Sequence, residues 1–170
     1  MRELTLRPLR ADDAEAMATV LSDVELYAFI GGHPPTPSEL AQRYAVQTRG
    51  GSADGSEEWI NLIVELGEAH APIGYVQATI TDDVAEIAWV IGCRWQGRVH
   101  AARAAALLVE HLRGRSVAHL IAHIHPDHQA SNAVASGIGM SATEVVVDGE
   151  VRWERELAIE ARTAVPRHGR

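Results

Sequence analysis

The sequence predicts an α/β (α+β) fold, a single domain on a mixed central sheet of about six or seven strands with flanking helices. Three observations predict it. Short stretches of alternating apolar residues are interleaved with stretches of helical periodicity. Ala85 to Arg113 reads as a strand, a turn carrying Gly92 and Gly97, and a helix rich in Ala and Leu. Near the end, Asp148-Gly149 between two valine-bearing runs is a strong hairpin signal. The chain has 170 residues, 46% of them hydrophobic, which suffices for one sizeable core.

In order, Leu4 to Leu9 alternates and contains Pro8, as a short edge strand does. Asp12 with Glu15 suits a helix start, and Ala14, Met17, Val20 and Leu21 give a helical stripe to about Ser22. Phe29 to Pro35 reads as a loop, after which Thr36-Pro37-Ser38-Glu39 is a capping box opening a helix over 37–47. Gly50 to Ser56 reads as a flexible connector within the domain. Trp59 to Leu66, with Ile60, Leu62, Val64 and Leu66 on one face, and Pro72 to Ile80 form two antiparallel strands. Asp82-Asp83 joins them to a third strand, Glu86 to Ile91, and the helix follows. Val117 to Ile124 is a strand, and Gln129 to Ile138 a short helix stopped by Gly139. Val145 to Val147 and Val151 to Trp153 make the terminal hairpin. The domain is expected to span 1–160, with 161–170 an Arg-rich loose tail.

Composition excludes several classes. No run of about 18 apolar residues is present to cross a membrane, and the first residues are charged, so a soluble cytoplasmic protein is expected with no membrane partner. Cys93 is the lone cysteine, which rules out an internal disulfide, and it reads as a small apolar residue. The net charge is −8, with all 15 basic residues Arg, which argues against nucleic acid and favours a cationic partner. A helix starting directly after a strand offers free N–H groups and a positive dipole end, a ready anion site.

Four pieces, in this order and spacing, carry a resemblance: Leu6-Arg7-Pro8-Leu9 before an acid-capped helix, Ala85-Glu86-Ile87-Ala88-Trp89, the Gln96-Gly97-Arg98 turn, and His128-Gln129-Ala130-Ser131-Asn132 leading to Gly139-Met140. Together they resemble the GNAT superfamily of acetyl-CoA-dependent N-acetyltransferases, and more narrowly its RimJ/RimL-like branch of ribosomal-protein-alanine acetyltransferases. The resemblance implies a splayed pair of parallel strands, acetyl-CoA as acyl donor, and a primary amine as acceptor, either a protein N-terminus or a small molecule. It implies that backbone groups around Val90 and Ile91 hold the pantetheine arm. It implies also that the turn Gln96, Gly97, Arg98, Val99, His100 and Ala101 holds the pyrophosphate, with Val99 standing where Gly is usual.

Attack of an amine on a thioester needs a base, a proton donor for the departing thiolate and a donor for the oxyanion. The resemblance makes Glu86 the base and Ser131 the proton donor, with His128, also toward the cofactor, replacing the family's Asn. It makes Tyr27, Phe29 and His33, with the Val147 to Val151 turn, the acceptor surface. His119, His123 and His125 alternate along one strand, with His128 and Asp127 nearby, but that spacing is too long for one ion, and no metal is expected. A non-catalytic acyl-CoA-binding module, or an interaction protein that kept only the fold, is the alternative. The terminal hairpin and the edge strands offer a surface for a homodimer.

Overall fold

Alternation along the middle strands sorts their side chains onto two faces, and each face has found helices to cover it. The computed structural model describes residues 3–158, so the expected tail lies outside the described residues. In chain order the elements are β1 (Leu4–Pro8), α1 (Ala14–Val20), α2 (Tyr27–Ile30), α3 (Pro37–Gln47), β2 (Glu58–Leu66), β3 (Ala71–Thr81) and β4 (Val84–Ile91). There follow α4 (His100–Arg113), β5 (His119–Ile124), α5 (Gln129–Gly137), β6 (Ser141–Val147) and β7 (Glu150–Glu156). They build one mixed seven-stranded sheet with a parallel pair, as expected, and its order is β1-β2-β3-β4-β5-β7-β6, with the parallel pair β4–β5 at its centre.

On the back face, Ile60, Leu62, Val64, Val76, Ile87 and Leu120 form one core with Ala104, Ala105, Leu108 and Leu112 of α4 and Val134 and Ala135 of α5. The alanines of α4 let the helix lie close to the sheet, and each fully buried leucine contributes about 1.5–3 kcal/mol. On the front face, Met17 and Leu21 near α1, and Leu40 and Tyr44 of α3, pack around Ile63. Helices α1 and α3 cover only the β1-side half of this face. The rest, toward Glu86 and His123, stays open.

Helix α3 has the predicted bounds and capping box: Thr36 Oγ1 accepts from Glu39 N, and the Glu39 carboxylate accepts from Thr36 N at 2.7 Å. The first helix differs from expectation. A 3₁₀ turn, Ala11–Asp13, precedes α1, and Asp13 rather than Asp12 accepts the Arg10 backbone N–H. Arg7 explains the choice, since its Nη1 and Nη2 reach the Asp13 oxygens at 2.8 and 2.6 Å and its Nε reaches Glu65 at 2.6 Å. Burial alone would raise the Asp13 carboxyl, yet the Arg7 guanidinium holds it below its usual range. Two further corrections follow. Helix α2 includes Phe29 and Ile30, which the sequence reads as the start of a loop, and a 3₁₀ turn, Val24–Leu26, leads into it. The Gly50 to Ser56 connector is an ordered turn, because the Asp54 carboxylate collects both the Ser52 and Ser56 hydroxyls at 2.7 Å. The hairpin turn is as read, with left-handed Asp148 and Gly149 at φ 51° and 87°.

Candidate active site

The parallel pairing of β4 with β5 covers only Val84–His119, Ala85–Leu120 and Glu86–Ile121, and beyond it the two strands part. From Ile87 to Ile91, the edge of β4 that faced β5 therefore has no strand partner, while its other edge stays paired to β3 through Gly74–Ile91. Into this opening α4 aims its N-terminus from one side and α5 from the other. The result is a cavity of about 780 Å3, floored by Trp89, Val90 and Ile91.

The strand-to-helix turn is built to leave donors free. Gln96 Nε2 donates to the Ile91 carbonyl at 2.8 Å, which ties the turn back to the end of β4. Gly97 takes φ 69°, a left-handed angle. The first intrahelical bond from this turn runs from Arg103 N to the Val99 carbonyl, so the N–H groups of His100, Ala101 and Ala102 point outward without intrahelical acceptors. Gly97, Arg98, Val99 and Ala101 line the cavity, and Arg98 brings a guanidinium to it. Val99 sits at φ −76° and ψ 9°, angles that any residue adopts, and is 57% exposed. His100 turns away. Its ring lies under α4 with no protein partner for either nitrogen, and burial, with Arg98 and Arg103 nearby, lowers its pKa.

At the opposite wall, His128 caps α5. The Ser131 backbone N–H donates to its Nδ1 at 3.4 Å, and its Nε2 lies 3.3 Å from Ser131 Oγ. Burial lowers the His128 pKa, which favours the neutral ring. A fixed N–H donor at Nδ1 then places the ring proton on Nε2, where it donates to Ser131 Oγ. The serine proton is left free to point into the cavity. Phe29 of α2 closes this corner, its ring stacked on His128 with centroids 4.6 Å apart and tilted against His125 at 5.4 Å.

The remaining expected residues lie elsewhere. Glu86 is outside the cavity lining, on the front face where strand pairing ends, and its Oε1 is 2.9 Å from Nδ1 of His123. Tyr27 donates its hydroxyl to the Leu21 carbonyl at 2.9 Å and packs into the front core. His33 is exposed and lies 3.4 Å from Glu39 at the start of α3. The histidines along and just after β5 are dispersed, His123 to Glu86 and His125 toward Phe29. Cys93 lines the cavity beside Asp23 and Glu25, and burial with the Asp23 charge pushes its thiol up. Sequence reading does not find the lining residues Trp95 and Ala102, nor the partnership of His123 with Glu86.

The family model for the acetyltransferase (GNAT) domain matches residues 3–141. The chain belongs to the GNAT acetyltransferase family. No curated protein sequence matches it. Its structure is similar to that of an aminoglycoside acetyltransferase in complex with coenzyme A, at 18% identity, with 91% of this GNAT chain and 95% of that one covered and a TM-score of 0.75. It is similar also to the RimL ribosomal-protein acetyltransferase in complex with coenzyme A, at 16% identity, coverage of 92% and 96%, and a TM-score of 0.76. A ribosomal-protein alanine acetyltransferase from Vibrio fischeri gives 15% identity, coverage of 92% and 94%, and a TM-score of 0.74.

Proposed function

We propose that this protein is an acetyl-CoA-dependent N-acetyltransferase that moves an acetyl group to a primary amine, and that it works in the cytoplasm. One observation carries the reading: the cavity between the parted strands is bounded by an unpaired strand edge and by the free N–H groups of a helix start. Acetyl-CoA fits both. Its pantetheine amides can pair with the open β4 edge at Val90 and Ile91 as a further strand would. Its pyrophosphate can take the N–H groups of the Gly97 to Ala101 turn, with Arg98 adding charge. Val99 crowds this approach without straining it. We place the chain nearest the RimJ/RimL-like branch, on Arg7 with its acid partners and on the His128 to Ser131 helix start.

The amine nitrogen attacks the thioester carbonyl. The C–N bond forms, the C–S bond breaks, the amine proton leaves through water to Glu86, which returns it to solvent, and the coenzyme thiolate takes the Ser131 hydroxyl proton, which the serine regains from solvent water. Glu86 stands on the front face, from which the amine approaches, and Ser131 stands inside the cavity. The two proton steps are thus assigned to opposite sides of β4. Phe29, stacked on His128 at the cavity wall, is the acceptor contact, while Tyr27 is engaged by the Leu21 carbonyl and His33 by Glu39.

Isothermal titration with acetyl-CoA tests the first step, with micromolar binding, on the order of −8 kcal/mol, expected. Glu86→Gln should then slow turnover about a hundredfold or more with that affinity unchanged, and Ser131→Ala should do likewise. Binding without turnover on any amine would instead make the chain an acyl-CoA-binding module. Absence of binding would overturn the reading.

A further inference from the structure

A second, smaller cavity of about 200 Å3 lies on the front face, between α3 and strands β2 and β3. Its polar lining is Arg43, Tyr44, Gln47, Asn61, Tyr75 and Gln77. The set is unusual in a chain of net charge −8, because it contains no carboxylate and Arg43 is its one charged member. Among the described residues Arg43 has no ion-pair or hydrogen-bond partner, and the hydroxyls of Tyr44 and Tyr75 and the side-chain amide of Gln77 have none either. Burial raises the pKa of both phenols, so they stay protonated and able to donate. Arg43 is close enough for its charge to act on both. Unused donors converging on one small space suit an oxyanion.

The register places this cavity beside Glu86. Tyr75 pairs with Val90, Gln77 with Ala88 and Thr79 with Glu86. Alternation puts Gln77 and Glu86 on the same face, as diagonal neighbours about 7–8 Å apart. An acceptor whose ammonium meets Glu86 can therefore lay a second group into the Arg43 cavity.

We propose that the Arg43 cavity is a specificity site for a carboxylate carried by the acceptor amine, so that the preferred acceptor is a short peptide or amino-acid-like zwitterion with the carboxylate about 10 Å from the nitrogen, the span of roughly three extended residues. This rests on the reading of Glu86 as the amine side of an acetyltransferase. The guanidinium takes the carboxylate as a two-pronged donor, and the phenols and the Gln77 amide complete its shell. A polyamine or aminoglycoside would bring a cation to the guanidinium and is disfavoured.

The test uses two peptides that differ only in the remote charge, trialanine and trialanine amide. Each is titrated calorimetrically into the coenzyme A-saturated protein and assayed for acetyl transfer. The free acid should bind about tenfold more tightly, as expected for one charge-assisted pair. Arg43→Gln should weaken the free acid to the level of the amide while leaving the amide unchanged, and Arg43→Lys should restore part of the difference. Position 43 is exposed on α3, so the fold should tolerate both variants. Equal binding of the two peptides, no binding of either, or a preference that survives Arg43→Gln would overturn the proposal. A preference for the free acid that depends on Arg43, in a protein that transfers acetyl to neither peptide, would uphold the cavity assignment and count against the transferase reading.

Discussion

Gly74→Ala should damage both stability and donor binding, through one atom. Gly74 faces Ile91 across β3 and β4, where β4 reaches the cavity. An added Cβ would stand 2.1 Å from the Val90 carbonyl oxygen and 2.9 Å from the Ile91 Cα, whereas ordinary contact begins near 3.4 Å. The nearest obstacle is backbone, which cannot swing aside as a side chain can, and β4 must retreat by more than an ångström while it stays paired to β3. Overpacking of this kind costs about 1–3 kcal/mol, and a rigid strand end places Gly74 near the top of that range. At about 2–4 °C per kcal/mol for a chain of this size, Tm should fall by roughly 6–12 °C. The displaced atoms are those proposed to hold the pantetheine arm, so acetyl-CoA affinity should weaken by about tenfold or more. Gly114→Ala is the matched control, since a Cβ there meets nothing within 4 Å. Differential scanning calorimetry and titration with acetyl-CoA read both effects. Wild-type Tm and affinity in Gly74→Ala would refute the reasoning, as would an equal loss in Gly114→Ala.

Val99→Gly should leave acetyl-CoA affinity equal or improved, because φ −76° needs no glycine and removing an exposed side chain only clears the approach to the turn. The same change should lower Tm by a few degrees through the added freedom of the unfolded chain, about 0.5–1 kcal/mol. A clear loss of affinity on titration would show that the turn meets its ligand in another way. Stability should fall as pH drops below about 6.5. His100 and His128 have folded pKa values lowered from the ordinary 6.5 by burial, so in that window the unfolded chain takes up protons that the folded chain refuses. His100→Leu removes one such group and its two unpartnered ring nitrogens, and should raise Tm and flatten its slope between pH 7.5 and 5.5. An unchanged slope in thermal scans across that range would count against a buried neutral His100.

The strands and α3 were legible because their signals are local. Period-two alternation in β2, the Thr36–Glu39 box and the Asp148-Gly149 turn each act within a few residues, and no tertiary contact opposes them. The start of α1 was not legible. Asp12 and Asp13 are equally good caps in sequence, and the choice is made by Arg7 in a neighbouring strand, with Glu65 from a third segment holding the same guanidinium. The site shows the same division. The turn from Gln96 to Ala101 could be placed from its strand–turn–helix pattern, but that the His100 ring points under α4 rather than outward depends on helix phase at the first residue. Likewise His123 is one of several alternating histidines in sequence. Only the parting of β4 from β5 after Glu86 determines which of them meets the carboxylate.

That parting also gives the molecule its division of labour. A sheet strand offers hydrogen bonds along its edges and side chains from its faces, and β4 presents both to the site. Its open edge from Ile87 onward suits an extended amide-bearing arm, which needs backbone donors and acceptors and little side-chain chemistry. Its front face carries Glu86 and lies next to the Tyr75 and Gln77 rows of β3, so the chemistry and acceptor selection proposed above draw on alternating side chains that the edge does not use. Substitutions on the face, at Glu86 or in the Arg43 cavity, should therefore change turnover and acceptor choice without moving donor affinity. Changes that displace the strand itself, as at Gly74, should do the reverse first. Measuring donor affinity beside acceptor preference in both kinds of variant separates the two functions of one strand. A face variant that altered donor affinity as strongly as acceptor choice would show that edge and face are not independent.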